Sequence, residues 1–269
     1  MRGSEADERA SLAGVLNAAV REAGALALSM FGVSVKTWTK GQGSPVTAAD
    51  MAVNDLLQAR LAGAEPGIAW LSEESTDDPA RRTARRVWVV DPIDGTRAFI
   101  AGRTDWAVSA ALVEDGRPVV AALFAPAEPA FYAAAAGKGA TLDGAPIAAA
   151  DSAQLEGTRI AGPKSYLDRL SALGLPFEPV PRIHSIALRF ALIARSTLDV
   201  AFSGGSSHDW DLAAADLLVH EAGGAMTTLT GQPLVYNRAD LTHGPLVAAG
   251  RTRHGGLIEL VRSGFDARP

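Results

Sequence analysis

The chain contains no cysteine. That excludes disulfides, thiolate-bound zinc and a cysteine nucleophile, and it fits a cytoplasmic address. No unbroken apolar stretch reaches the length of a membrane span, so no membrane association is expected. The opening residues Met1-Arg2-Gly3-Ser4-Glu5 lack the charged-then-apolar layout of a signal peptide. There is no basic surplus either. The net charge is −5 and the pI is near 5.6, which argues against a nonspecific partner of nucleic-acid polymers but not against a nucleotide substrate. Internal repeats are absent, and low complexity is limited to short alanine runs. The histidines lack metal-site spacing. His208 stands beside acids but has no second histidine at i+4, so an exposed polar role is expected for it. His184, His220, His243 and His254 are scattered.

What remains is 269 residues with 48% hydrophobic content, enough for one large domain or two small ones around a sizeable core. The central stretch is Trp88-Val89-Val90-Asp91-Pro92-Ile93-Asp94-Gly95-Thr96. Its apolar, β-branched start predicts a buried strand. Pro92 holds Asp91 extended and removes an N–H. Gly95 permits a tight backbone, and Thr96 can cap a helix or turn that begins there. Two ionised carboxylates this close must share a proton or bind a cation. A hard divalent ion such as Mg²⁺ takes such oxygen ligands. The Gly95 and Thr96 amides would face an anion. Taken alone, the stretch also reads as an Asx-turn with solvated acids.

The rest of the chain frames this bend. Leu12, Val15, Leu16, Ala19, Ala23, Leu26 and Met30 predict an amphipathic helix ending near Gly32. A polar loop is expected over Thr37–Pro45. A second helix begins near Thr47, with Asp50 in capping-box position and Val53, Leu56, Leu57 and Leu61 as its buried face. Gly67–Leu71 reads as a strand running into Ser72-Glu73-Glu74-Ser75. Asp77–Arg86 reads as a solvated charged loop that could also attract an anion. Strands 106–113 and 118–124 flank an Asp115-Gly116 hairpin turn, and Phe131–Ala136 continues the sheet. The second half alternates. Strands are expected at Arg159–Gly162, Leu198–Phe202, Ala225–Leu229 and Pro245–Ala249. Helices are expected at Tyr166–Leu173, Ser185–Arg195, Asp211–Ala222 and Gly256–Val261, with Asp209 or Ser207 capping the third. The boundary falls between Ile147 and Gly157. This gives an N-terminal α+β unit over 1–147 and a C-terminal α/β unit over 148–269.

Four motifs occur in order: Thr47-Ala48-Ala49-Asp50, Leu71-Ser72-Glu73-Glu74, Asp91-Pro92-Ile93-Asp94-Gly95-Thr96 and Trp210-Asp211-Leu212-Ala213-Ala214. Together they resemble the motif set of the inositol monophosphatase superfamily over nearly the whole chain. The resemblance implies a layered α-β-α-β-α sandwich and Mg²⁺-dependent hydrolysis of a small phosphorylated metabolite, with two or three ions. By motif, Glu73, Asp91 and the Ile93 carbonyl hold one metal, and Asp91, Asp94 and Asp211 hold a second. Water activation falls on Asp50 and Thr96, with Glu74 nearby, and the Gly95 and Thr96 amides take phosphate oxygens. A homodimer is common in the family.

Substrate choice is less directly encoded. Inositol monophosphatases usually carry an acid shortly before the Trp-Asp motif, and Phe202-Ser203-Gly204-Gly205-Ser206-Ser207 has none. Gly102–Val108 resembles a segment of actinobacterial bisphosphate nucleotidases, and Lys164-Ser165 stands where those enzymes carry a basic residue and a serine. The resemblance therefore points to the 3′-phosphate of 3′-phosphoadenosine 5′-phosphate (PAP). The alternatives are inositol 1-phosphate, histidinol phosphate or a broad range of sugar phosphates. An inactive binding protein is a reading of another class, which a phosphate-release assay separates.

Overall fold

The computed structural model describes residues 2–33, 35–40 and 44–265. Helix α1 (Arg2–Met30) buries Leu12, Leu16, Ala19 and Ala23 of the expected stripe together with Val20 and Ala27, while Val15, Leu26 and Met30 are half-buried. It lies so close to the sheet below that a Cβ on Gly24 would sit 2.2 Å from the Phe124 ring. Strands β1 (Thr37–Lys40) and β2 (Ser44–Thr47) then form an antiparallel pair where the sequence suggested a loop. The β1 side chains are mostly exposed, so no buried face imposed the alternation that marks a strand. The Gly41-Gln42-Gly43 part of that expected loop lies outside the described residues.

Helix α2 (Ala48–Leu61) starts on the capping box expected: the Thr47 hydroxyl accepts from the Asp50 amide, and the Asp50 carboxylate accepts from the Thr47 amide. Strand β3 (Ala69–Ser72) follows. A 3₁₀ turn over Pro79–Thr83 leads to β4 (Arg86–Asp94), which is buried along its whole length. The short helix α3 (Thr96–Ile100) comes next. Strands β5 (Ala107–Glu114), β6 (Arg117–Ala125), β7 (Ala130–Ala135), β8 (Ala140–Leu142) and β9 (Ala145–Ile147) complete a seven-stranded sheet ordered β3-β4-β5-β6-β7-β8-β9. Only β3 and β4 run parallel in it. The β5–β6 turn places Asp115 and Gly116 both at positive φ, which is what the hairpin signal required.

The second half contributes β10 (Thr158–Ala161), α4 (Lys164–Ala172), β11 (Phe177–Pro179), α5 (Ile186–Ala194), β12 (Val200–His208), α6 (Asp209–Glu221), β13 (Gly224–Thr228), β14 (Thr242–Gly250) and α7 (Arg251–Phe265). Its five-stranded sheet runs β11-β10-β12-β14-β13. The sequence gives no sign of β11, a three-residue strand whose partly exposed Phe-Glu-Pro carries no pattern. The last helix begins five residues earlier than expected. Helix α6 is capped by His208 rather than by Asp209 or Ser207.

Five layers result. Helices α1 and α2 cover one face of the large sheet, and α5 and α6 lie between the two sheets. Leu170 of α4 and Leu257, Ile258 and Val261 of α7 close the outer face of the small sheet against Ile160, Val200, Phe202 and Val247. This is the layered sandwich expected. No helix among the described residues is long and apolar enough to cross a membrane.

Two of the four arginines around the start of β4 turn inward, against expectation, while Arg82 and Arg85 stay exposed as expected. Arg81 is buried and bonds Asp77 and Asn237. Arg86 is buried among Glu8, Glu65 and Glu114. Arg85 also reaches Glu114. These guanidiniums tie the edge of the sheet to α1 and to the loop before β3. Their charge is answered by carboxylates and is not left to attract an anion.

Candidate active site

Strand β4 carries its two aspartates to a bulge. Asp91 pairs with Ser109 and Asp94 with Ala107 of β5, with the register shifting between them. The extra residue bends the strand end so that both carboxylates face one side. The Ile93 amide donates to Asp91 Oδ1 at 3.0 Å. Gly95 follows at φ +93, where a Cβ would lie 3.2 Å from both the Asp105 carbonyl oxygen and the Ser185 nitrogen. Left-handed backbone and close approach both call for glycine here.

Asp211 comes from the first turn of α6, and its Oδ2 accepts from the His208 amide at 2.6 Å. One carboxylate oxygen from each of Asp91, Asp94 and Asp211 can be chosen so that all lie within 4.8 Å of one another. All three residues are buried. Burial pushes the Asp94 carboxyl up to about 6, with Glu73 adding to the effect. Burial also lifts Asp91 and Asp211 well above the usual carboxylate range, helped by their acidic neighbours. No lysine or arginine among the described residues pairs with the three. The nearby Lys40 goes instead to Glu74 at 2.5 Å and Glu73 at 3.1 Å. Buried carboxylates clustered without a cationic side chain fit a divalent ion, and a set made wholly of oxygens fits a hard one.

The cavity they line, of about 250 Å³, also includes Glu73, Ile93, Gly95 and Thr96. Asp50 is buried beside it. Thr96 Oγ1 lies 3.2 Å from Asp50 Oδ1 and 3.0 Å from the Ile93 carbonyl oxygen. Asp50 Oδ2 accepts from the Thr47 amide and hydroxyl, and burial raises its carboxyl. Glu74 does not line the cavity. Its carboxylate is turned to Lys40, and burial holds its pKa up.

Arg182, His184 and Ile186 connect this cavity to a larger cleft of about 650 Å³ lined by Lys164, Leu167, Arg189, Ser203 and Ser207 among others. Lys164 is at its mouth, 85% exposed and ion-paired with Asp168 at 2.7 Å. Ser165 is exposed and does not line the cleft. Sequence reasoning missed Lys40, Arg182, His184, Ser185 and Arg189. The only available signal was for Ser185, a serine preceding an apolar helix. His184 is oriented by Asp105, whose Oδ2 meets both its amide (2.8 Å) and its Nδ1 (2.7 Å). His208, expected to be exposed, is half-buried, and it stacks on Trp210 at 4.8 Å.

The raised acids predict how the metal-free protein responds to pH. A carboxyl whose pKa is higher folded than unfolded stabilises the fold below its unfolded value, and that contribution is lost as pH rises through the folded value. For Asp94 the window runs from the ordinary carboxylate range to about 6. The melting temperature of chelator-treated protein should therefore fall between pH 5 and about pH 7, and saturating divalent ion should reverse the loss. A metal-free melting temperature that climbs over this range would contradict the cluster's assigned electrostatics.

A sandwich of two sheets with buried carboxylates at one strand end and one helix start defines a class, the metal-dependent phosphomonoesterases. The model of the inositol monophosphatase family matches residues 8–264, and the chain belongs to that family. A 3′-phosphoadenosine 5′-phosphate phosphatase of Mycobacterium leprae is 39% identical over 207 residues, covering 72% of this chain and 73% of the relative. A histidinol-phosphatase of Mycobacterium tuberculosis is 38% identical over 208 residues, covering 72% and 77%. Among solved structures, the extragenic suppressor protein suhB of Bartonella henselae superposes with a TM-score of 0.83 at 25% identity, covering 93% of this chain and 98% of that one.

Proposed function

We propose that the protein hydrolyses the 3′-phosphate of a 3′,5′-bisphosphorylated nucleoside, with PAP as the preferred substrate. The observation that carries this reading is the charge of the larger cleft. Lys164, Arg182, His184 and Arg189 line it, and no aspartate or glutamate does. Arg189 is only 9% exposed. Its guanidinium bonds just the carbonyls of Phe202 (3.1 Å) and Ile183 (2.5 Å), and burial lowers its pKa. Among the described residues no carboxylate forms an ion pair with it, although Asp94 lies near enough to favour its charged form. A buried cation so weakly compensated is costly, and an incoming anionic group relieves that cost. PAP brings such a group. Histidinol phosphate would bring an amine that the cleft repels. An inositol ring would find the Ser203 and Ser207 hydroxyls but no acid. Because Lys164 is exposed and already paired, the larger share of recognition falls to Arg189.

Asp91, Asp94 and Asp211, with Glu73 and the Ile93 carbonyl, would hold two or three Mg²⁺ ions, which supply charge neutralisation at the phosphoryl group and activation of water. Thr96 Oγ1 and Asp50 form a pair that orients the attacking water and accepts its proton. The Gly95 and Thr96 amides receive phosphate oxygens. Glu74 acts indirectly, by holding Lys40 against Glu73.

Side-by-side kinetics test the substrate. PAP should exceed inositol 1-phosphate and histidinol phosphate in kcat/KM by at least about tenfold, or ~1.4 kcal/mol. Arg189→Met should lower kcat/KM for PAP and leave a simple monophosphate nearly unchanged, as loss of a charge-assisted contact predicts. Equal or faster turnover of inositol 1-phosphate would replace this reading with the inositol monophosphatase one.

A further inference from the structure

Asp94 lies in the first half of the chain, yet its carboxylate is held by the second half. Ser185 is the N-cap of α5, and its Oγ accepts from the Leu188 amide at 2.9 Å. The same hydroxyl donates to Asp94 Oδ2 at 2.6 Å, and the Ala187 amide donates to that oxygen at 2.6 Å. Ser185 is fully buried. It is fixed in turn by Asp105, whose backbone oxygen accepts from the Ser185 amide at 3.1 Å and whose side chain holds the neighbouring His184. Two short bonds to Oδ2 set the plane of the carboxylate. The Ile186 amide also bonds this carboxylate, which leaves it little freedom to rotate away from Asp91 and Asp211.

We propose that Ser185 is a positioning residue of the cation site: its hydroxyl, backed by Asp105, orients Asp94 so that its carboxylate is presented to the ion. This rests on the assignment of Asp94 as a metal ligand. Hydrogen bonds to a ligating carboxylate fix its orientation, and removing one typically costs 10–100-fold in metal affinity.

Two variants separate this role from capping α5. Ser185→Ala removes both the cap and the donor. Ser185→Gly removes the donor but keeps a tolerable cap, because glycine replaces serine at an N-cap at little cost. The readouts are the Mn²⁺ dissociation constant by titration calorimetry without substrate, and the melting temperature of the metal-free protein. In both variants the dissociation constant should rise about tenfold or more. In Ser185→Gly the metal-free melting temperature should stay close to wild type. Wild-type affinity in the glycine variant overturns the proposal. So does an affinity loss matched by an equal loss of metal-free stability in that variant. If the wild-type protein binds no Mn²⁺, the metal assignment itself fails, an outcome distinct from a null effect at Ser185.

Discussion

Asp94→Asn should lower turnover by about three orders of magnitude or more at saturating Mg²⁺, the scale of losing a principal electrostatic contribution to a transition state. The substitution is nearly isosteric. The amide oxygen can still accept from Ser185 Oγ and from the Ala187 amide, so the bonds that hold the side chain survive. Only the negative charge goes. Without metal, that charge is a liability, because burial has already pushed the Asp94 carboxyl up to about 6. The metal-free variant should therefore melt at or above the wild-type temperature near neutral pH, with a shallower dependence on pH between 5 and about 7. Stabilisation by added divalent ion should shrink in parallel. Loss of activity with intact or improved metal-free stability is the signature of a ligand rather than of a structural residue. Wild-type turnover in this variant would remove Asp94 from the site.

Thr96→Ala should lower kcat by about 100-fold or more, within the range for loss of a proton-transfer partner, while KM changes little. The hydroxyl is the only polar group lost, and a single methyl goes with it. The residue-96 amide remains, Gly95 keeps its left-handed turn, and alanine is well tolerated as the first residue of α3. Asp50 keeps the two bonds from Thr47 that fix its Oδ2. Its Oδ1 loses the hydroxyl 3.2 Å away and with it the link to the attacking water. The diagnostic is the split between the two constants. Unchanged kcat with a large rise in KM would make Thr96 a substrate-binding residue and leave water activation to other groups.

The carboxylate motifs were legible because each is local. A capping box at Thr47 and Asp50 and an acid in the first turn of α6 are written in consecutive residues and fold as read, while the strand expected to stop at Asp91 runs on through a bulge to Asp94. The cationic cleft was not legible. Arg189 sits in an apolar helix where its position says only that one side chain is polar. Its bonding to carbonyls rather than to a carboxylate exists only once β12 and the loop before α5 are in place. The arginines before β4 show the reverse error. In sequence they form a solvated run, but their partners Glu8, Glu65, Glu114 and Asn237 lie elsewhere in the chain, and only the packed sheet brings them together. Lys40 and the β1–β2 hairpin were missed because an exposed strand carries no hydrophobic alternation.

The split of the carboxylate cluster between β4 and the start of α6 has a consequence during synthesis. The ribosome delivers Asp91 and Asp94 more than a hundred residues before it delivers Asp211, and the donors that orient Asp94 arrive with Ser185 and Ala187. A nascent chain therefore carries two acids on a strand end, with Asp91 held by the Ile93 amide but without the donors that orient Asp94. Prematurely released fragments should be inert rather than partly active, and a chain stalled before residue 211 should not retain the ion that Asp91, Asp94 and Asp211 share. Hydrolysis of phosphate esters then begins only when translation has passed into the second sheet, which makes capture of the cation that needs Asp211 a report on whether the second half has been made and docked.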